Sequence, residues 1–255
     1  MFPDFKTASR DYGHHTDTPV WRRLGVIMPS VNTVVEPWFN QAVPGGVQVH
    51  GARMLLDPLV TPDSLRRMDH EEGLPAARRL LSCRPHAVAY CCTASTIVQG
   101  LAYDQELQQT LESVLQVPCF TAVTALLDAL RCLKVGRIAM ASPYTDEIDR
   151  LEHRFFESAG YEVVGGANLG IADGFSLADP SSEQIYQLGL KAWHHQADAL
   201  VVSCLNMNSQ RVAHVLEKVI GKPVITSTTA TLWKLLRSAG VGDRVSGYGV
   251  LLEQD

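Results

Sequence analysis

The sequence predicts an α/β protein of two pseudosymmetric halves, each a mostly parallel sheet flanked by helices, with an active-site cleft between them. Three observations predict this. Short strand-like apolar runs alternate with segments of helical period, the pattern of βαβ units. His86–Ser95 (HAVAYCCTAS) and Asp198–Met207 (DALVVSCLNM) are near copies once Cys92 is set against Cys204. The flanks echo each other in the same order: RLGVIMP (Arg23–Pro29) against RIAMASP (Arg137–Pro143), and VPCFTAVTALLDALR (Val117–Arg131) against KPVITSTTATLWKLLR (Lys222–Arg237). Each copy thus places one cysteine at an equivalent strand end.

Leu24–Met28 reads as the first strand, followed by a helix over Ser30–Asn40 and a second strand over Val47–Met54. Ser64–Ser82 has helical period, with Ser64 as its N-cap and Leu65, Met68, Leu80 and Leu81 on the buried side. Ala87–Cys91 is a strand, Tyr103–Leu115 a helix, Cys119–Thr121 a strand, and Ala122–Leu133 the closing helix of the first copy. The second copy runs strand Arg137–Ala141, helix Asp146–Ala159, strand Tyr161–Gly165, helix Ser181–His194 and strand Ala199–Ser203. Helix Asn208–Ile220, strand Val224–Thr226 and helix Ala230–Ala239 complete it. The halves are expected over residues 21–125 and 126–239, with 240–255 packing back on the first half and 1–20 a polar arm. Ala167–Pro180, rich in Gly, Asp and Ala, is long enough to be a loop over a site.

A net charge of −5 and the lack of any basic run argue against nucleic acid or an anionic membrane as partner. No apolar stretch approaches the roughly 20 residues that cross a bilayer. The first residues lack the basic-then-apolar order of a signal peptide, so a cytoplasmic location is expected. Six cysteines in a chain of 255 residues with that context read as free thiols rather than a disulfide framework. There is no CxxC pair, and the histidines do not stand at metal-ligand spacings beside the cysteines, so no metal is expected. No Walker or dinucleotide glycine pattern is present.

In open parallel sheets ligands bind beyond the carboxyl ends of the strands. Pro29–Thr33, Cys92–Thr96, Ser142–Thr145 and Cys204–Ser209 all fall there. A cysteine at a helix N-terminus has a stabilised thiolate and a lowered pKa. Cys92 and Cys204 are therefore the candidate catalytic pair. One thiol removes a proton from one face of a substrate carbon while the other delivers a proton to the opposite face, or one adds to a polarised double bond. Cys83, Cys119 and Cys132 read as small buried hydrophobes, and strand alternation turns Cys91 away from whatever Cys92 faces. Asn32 suits a substrate carboxylate and also a helix cap, with Thr33 beside it. Thr93, Ser95 and Thr96 offer hydroxyls and amides beside Cys92, as Leu205 and Asn206 flank Cys204, and Tyr144 can donate its phenol to an oxyanion. No Arg or Lys lies within the four motifs, which disfavours phosphate and suits a carboxylate held by neutral donors.

The order PSVNT, CTAS after a strand, SPY, SCLNMNS and a closing STTATLW resembles the aspartate/glutamate racemase superfamily, within it the maleate cis–trans isomerase and arylmalonate decarboxylase branch, from about Arg23 to Gly240. The resemblance implies two Rossmann-like halves, no cofactor, a small carboxylate or dicarboxylate substrate and a homo-oligomer. It assigns Asn32 to the carboxylate, Cys92 to the nucleophile, Tyr144 to the branch's tyrosine and Cys204 to the acid partner. The decarboxylases carry glycine at the first cysteine, so two thiols imply an isomerase or racemase. Thr93 matches a hydroxyl of the decarboxylases' dioxyanion pocket, whereas Ala94 lacks the serine next to it. The isomerases carry asparagine where this chain has Gly174 or Asp173, and again at Thr96. Two alternatives stand beside the isomerase: an arylmalonate-type decarboxylase with Cys204 as proton donor, and a non-catalytic carboxylate-binding protein.

Overall fold

The computed structural model describes residues 21–254, so the arm expected over residues 1–20 lies outside the described residues. The chain runs β1 (Arg22–Pro29), α1 (Val35–Ala42), β2 (Val47–Met54), α2 (Pro62–Leu80), β3 (Ala87–Tyr90), α3 (Thr93–Ile97), α4 (Leu101–Leu115), β4 (Cys119–Thr121) and α5 (Ala122–Cys132). It continues β5 (Arg137–Ser142), α6 (Asp146–Ser158), β6 (Glu162–Asn168), α7 (Ser182–Ala192), β7 (Ala199–Val202), α8 (Ala213–Ile220), β8 (Val224–Thr226) and α9 (Ser227–Ser238). The strands form two parallel four-stranded sheets, ordered β2-β1-β3-β4 and β6-β5-β7-β8. Equivalent strands occupy equivalent places, so the duplicated sequence is a duplicated topology.

Helices cover both faces of each sheet, which is why the strands read as continuous apolar runs instead of alternating ones. Leu24, Val26 and Met28 enter one core and Ile27 the other. At the ends of β4 and β8 the repeat supplies equivalent caps. Thr121 accepts from the Thr124 N–H at 3.0 Å, and Thr226 from the Thr229 N–H at 2.9 Å. The helices they start, α5 and α9, pack against each other; α5 reaches β8 and α9 reaches β3. Phe120, Leu126 and Leu130 therefore share one apolar core with Ile225, Leu232 and Leu236. Beyond α9 the chain touches both sheets' elements. Tyr248 sits edge-on to Trp38 at 5.1 Å, and the Val250 N–H donates to the Glu217 carboxyl at 3.0 Å.

Several boundaries differ from expectation. α1 begins at Val35, because Ser30–Thr33 form a turn that Asn32 caps. Thr61, not Ser64, caps α2. Pro62 opens the helix, and Ser64 closes a reciprocal capping box, with bonds of 3.0 and 3.1 Å. A 3₁₀ turn at Ser209–Arg211 precedes α8, where a longer helix from Asn208 was expected. Gly165 and Gly166 lie within β6, next to a shift in its register against β5. A Cβ on Gly165 would stand 2.6 Å from the Ala192 carbonyl oxygen, so this glycine permits close helix–strand packing.

Candidate active site

β3 and β7 are equivalent strands, and each delivers one cysteine past its carboxyl end into the same cavity. Asn32, Thr93, Tyr144, Leu205 and Asn206 line it as well, within an apolar wall that includes Val31, Leu65 and Leu177. The space open to water centres is about 40 Å³, room for a few waters or one small acid. No Arg, Lys, Asp or Glu is among the lining residues. Any carboxylate bound here is held by neutral donors.

The thiols are not acidic in this setting. Burial pushes Cys92 up to about 12, helped by the nearby Asp69 charge, while the hydroxyl and N–H of Ser95 pull it back. Burial likewise pushes Cys204 up to about 11, against the Tyr144 phenol and the Asn206 and Met207 N–H groups. The lowered pKa expected from helix N-termini is thus overturned. α3 has only five residues and β7 is followed by a turn, so dipole stabilisation is too weak to offset desolvation. Cys204 also has φ +85°, a left-handed backbone that side chains other than glycine rarely adopt and that costs about 1–3 kcal/mol. The Asn206 N–H, 3.3 Å from its sulfur, depends on that turn.

Asn32 serves the expected capping purpose and also lines the cavity. Its Oδ1 accepts from the Val34 and Val35 N–H groups at 3.0 and 2.9 Å, and its amide N–H groups have no protein acceptor among the described residues. Asn206 is instead a clasp. Its Oδ1 accepts from the Thr33 N–H at 2.9 Å, and its Nδ2 donates to the Gly174 and Val31 carbonyls at 3.0 and 3.4 Å. All its bonding capacity toward the cavity is spent holding the Pro29–Thr33 turn and the Gly174 loop. Asn206→Ala is expected to cost about 1–3 kcal/mol in urea unfolding by leaving buried partners unpaired, and to raise KM more than it lowers kcat.

Three expected site residues stand off the cavity. The Thr33 side chain is exposed, and only its backbone takes part. Thr96 is wholly buried and donates to the Thr93 carbonyl at 3.3 Å. Ser95 is wholly buried on the side of Asp69. Thr93 does line the cavity, but its hydroxyl donates to Ser227 at 3.1 Å, tying α3 to α9. Cys91, expected to face away, reaches the cavity wall too. The Ala167–Pro180 segment lies over the site. The Gly174 N–H donates to the Pro58 carbonyl at 2.8 Å and the Val60 N–H to the Ala172 carbonyl at 2.9 Å, closing it onto the 55–60 loop. Gly174 lines the cavity, whereas Asp173 caps Ser176 at 2.8 Å.

Two acids escaped the sequence reading. Asp69 on α2 and Glu152 on α6 are buried beside Cys92 and Cys204 respectively. Ser203 donates to Glu152 Oε1, and Oε2 has no partner among the described residues. Burial pushes Glu152 up to about 8, leaving it neutral at physiological pH. The sequence did carry a signal: Glu152 follows Ile148 and precedes Phe156 at four-residue spacing, and Asp69 follows Leu65 likewise, so both acids fall on apolar stripes. All six cysteines are free, and no group of three or more His, Cys, Asp or Glu among the described residues could hold a metal. No described helix is long and apolar enough to cross a membrane.

Comparison with known proteins agrees with this geometry. The family model for arylmalonate decarboxylase matches residues 24–252. A maleate isomerase of Pseudomonas putida is 30% identical over 245 residues, covering 90% of this chain and 96% of the relative. The solved maleate isomerase of Pseudomonas putida S16 with maleate superposes with a TM-score of 0.86 at 27% identity, covering 91% of this chain and 97% of that one. A solved variant of the Nocardia farcinica maleate cis–trans isomerase, with a covalently bound succinylcysteine intermediate, has a TM-score of 0.86 at 25% identity, covering 92% and 99%. With two thiols at equivalent strand ends and a match along nearly its whole length, this chain belongs to the arylmalonate decarboxylase family of enzymes, in the branch shared with the maleate isomerases.

Proposed function

We propose that the protein is a cofactor-independent isomerase of a small carboxylic acid, a cis–trans isomerase or racemase, in which Cys92 and Cys204 act on opposite faces of the substrate. The observation that carries this reading is the pair of thiols, one from each sheet, at a single uncharged cavity. For isomerisation, the Cys92 S–H bond breaks, its proton passes to solvent, and the sulfur adds to one alkene carbon. The electron pair displaced onto the neighbouring carbon is taken up by the Cys204 proton, giving a thioether on a saturated bond. Rotation about that bond and reversal of both steps release the other isomer, with each thiol restored. A succinylcysteine in the Nocardia enzyme is such a thioether. For racemisation the same pair exchanges an α-proton across two faces.

Asn32 offers its free amide to the substrate carboxylate, and Tyr144 offers its phenol beside Cys204. Burial holds both thiols protonated, so the sulfur loses its proton only as it reacts. The reading divides the chain near residue 125, gives each half one thiol, and has the enzyme work as a homo-oligomer in the cytoplasm. Maleate is the first substrate to try, since it is what the P. putida S16 structure holds.

Proton NMR in D₂O with maleate, aspartate, glutamate, a hydantoin and phenylmalonate tests the reading. Fumarate formation or α-proton exchange supports it. The family's decarboxylase chemistry is the second reading, and Cys204 alone would suffice for it. Carbon dioxide release with deuterium gained at the same carbon, tolerant of Cys92→Gly, would put the decarboxylase first.

A further inference from the structure

The turn that presents Asn32 to the cavity is held by two side chains. From the second half, Asn206 accepts the Thr33 N–H on its Oδ1 at 2.9 Å and donates its Nδ2 to the Val31 carbonyl at 3.4 Å. From β2 comes a residue that the two-thiol reading leaves unused. Arg53 pairs in register with Met28 of β1, just before the turn begins. Its Nη1 donates to the Ser30 carbonyl at 2.9 Å and to the Asn32 carbonyl at 2.8 Å. Its Nη2 donates to the Glu36 carboxylate on α1, the helix that Asn32 caps. Gly51 leaves room for that carboxylate, which a Cβ there would meet.

We propose that Arg53 is a positioning residue for the substrate carboxylate, its two bonds to the Ser30 and Asn32 carbonyls fixing the turn so that the Asn32 amide meets the acid. The inference rests on the reading of Asn32 as the carboxylate donor. Asn32 is pinned at two points: its backbone carbonyl accepts from Arg53, and its Oδ1 accepts from the Val34 and Val35 N–H groups. Only its amide N–H groups are left for a ligand. The peptide group joining Asn32 to Thr33 is bonded at both ends, its carbonyl to Arg53 and its N–H to Asn206. Hydrogen bonds in such a chain polarise and strengthen one another. The chain runs on through Asn206 Nδ2 to the Gly174 carbonyl, so the clamp on Asn32 reaches the loop over the site.

Arg53 acts by geometry more than by charge. It does not line the cavity, and its ion pair with Glu36 leaves the two side chains neutral together. A cavity that binds an acid through neutral donors depends on where those donors point, because no cation is present to tolerate a loose fit. The repeat also sets the two halves apart here. Asn168 pairs with Ser142 as Arg53 pairs with Met28, yet Asn168 donates to Asp146 at 3.0 Å instead of to a turn carbonyl. The clamp therefore belongs to the first half, and it orients a bound carboxylate toward the Pro29–Thr33 turn.

The test is calorimetric titration of the parent, Arg53→Met and Arg53→Lys with succinate and with propanoate, saturated acids that cannot take up a thiol. Steady-state kinetics on the substrate that the NMR panel identifies run beside it. Arg53→Met keeps the length of the side chain without its donors. It is expected to weaken the acid that the parent binds by on the order of 10-fold, at unchanged stoichiometry. KM should rise by a similar factor while kcat changes only a few-fold, the signature of lost ground-state binding. Arg53→Lys, which keeps N–H donors for the carbonyls, should fall between the parent and Arg53→Met.

An Arg53 that only supports the fold would lower the unfolding midpoint or the stoichiometry and leave Kd where it was. That result, or a loss confined to kcat, would overturn the proposal. Should Arg53→Met not fold, Arg53→Gln, which keeps one amide donor, is read in the same way. The two claims fail separately. A parent that binds neither acid removes the carboxylate reading of the cavity and the role of Arg53 with it. A parent that binds an acid no better than Arg53→Met does removes the role of Arg53 alone.

Discussion

Cys92→Ala and Cys204→Ala are each expected to lower turnover by about 10⁴-fold or more, while the urea unfolding midpoint barely moves. The activity loss follows from the shared task, since neither addition nor protonation proceeds without its thiol, and residues acting as a unit are not additive. The double variant is therefore no worse than either single one. Stability is spared because truncating a buried thiol to a methyl leaves a small void, costing about 1 kcal/mol. Cys204→Gly goes further. It relieves the strained backbone at φ +85° and is expected to be inactive yet as stable as the parent or more so. A near-native rate in any of these variants would remove that thiol from the mechanism.

Glu152 sets the second large effect, on stability and not on rate. Its native pKa is raised to about 8 from an ordinary value of 4.5, because burial disfavours the carboxylate more than the Ser203 hydroxyl supports it. Between those two pH values the unfolded chain has released a proton that the native state keeps. Stability therefore falls as pH rises from about 4.5 to about 8, and the loss is complete above the native value. The separation bounds the loss at roughly 5 kcal/mol. Glu152→Gln keeps the shape and the acceptor for Ser203 without the charge. It should match the parent near pH 5 and exceed it in Tm by pH 8. A parallel pH dependence in parent and variant would show that Glu152 ionises freely in the fold.

Much of this architecture was legible because duplication doubles the signal. Two copies of the same strand end, each with a cysteine, pointed to two equivalent sheets and to the candidate thiol pair that the fold brings to one cavity, and the Thr121 and Thr226 caps lie in the same repeat. Side-chain direction within a motif was less legible. Thr33, Ser95 and Thr96 sit in the right segments, but the turn before α1 and the single-turn path of α3 point them away from the cavity. Asn206 was read for its chemistry, whereas its bonds to Thr33, Val31 and Gly174 depend on two loops meeting across the site. The thiol pKa values turned on depth of burial, which local spacing does not report.

Peptide-level mass spectrometry of Cys204→Ser, incubated with the substrate identified by NMR, tests the central claim most directly. With no second thiol to complete turnover efficiently, the substrate is expected to accumulate as a thioether on the peptide carrying Cys92, absent in Cys92→Ala/Cys204→Ser. An unmodified Cys92 during continued turnover, or an adduct confined to Cys91 or Cys119, would contradict the two-thiol account.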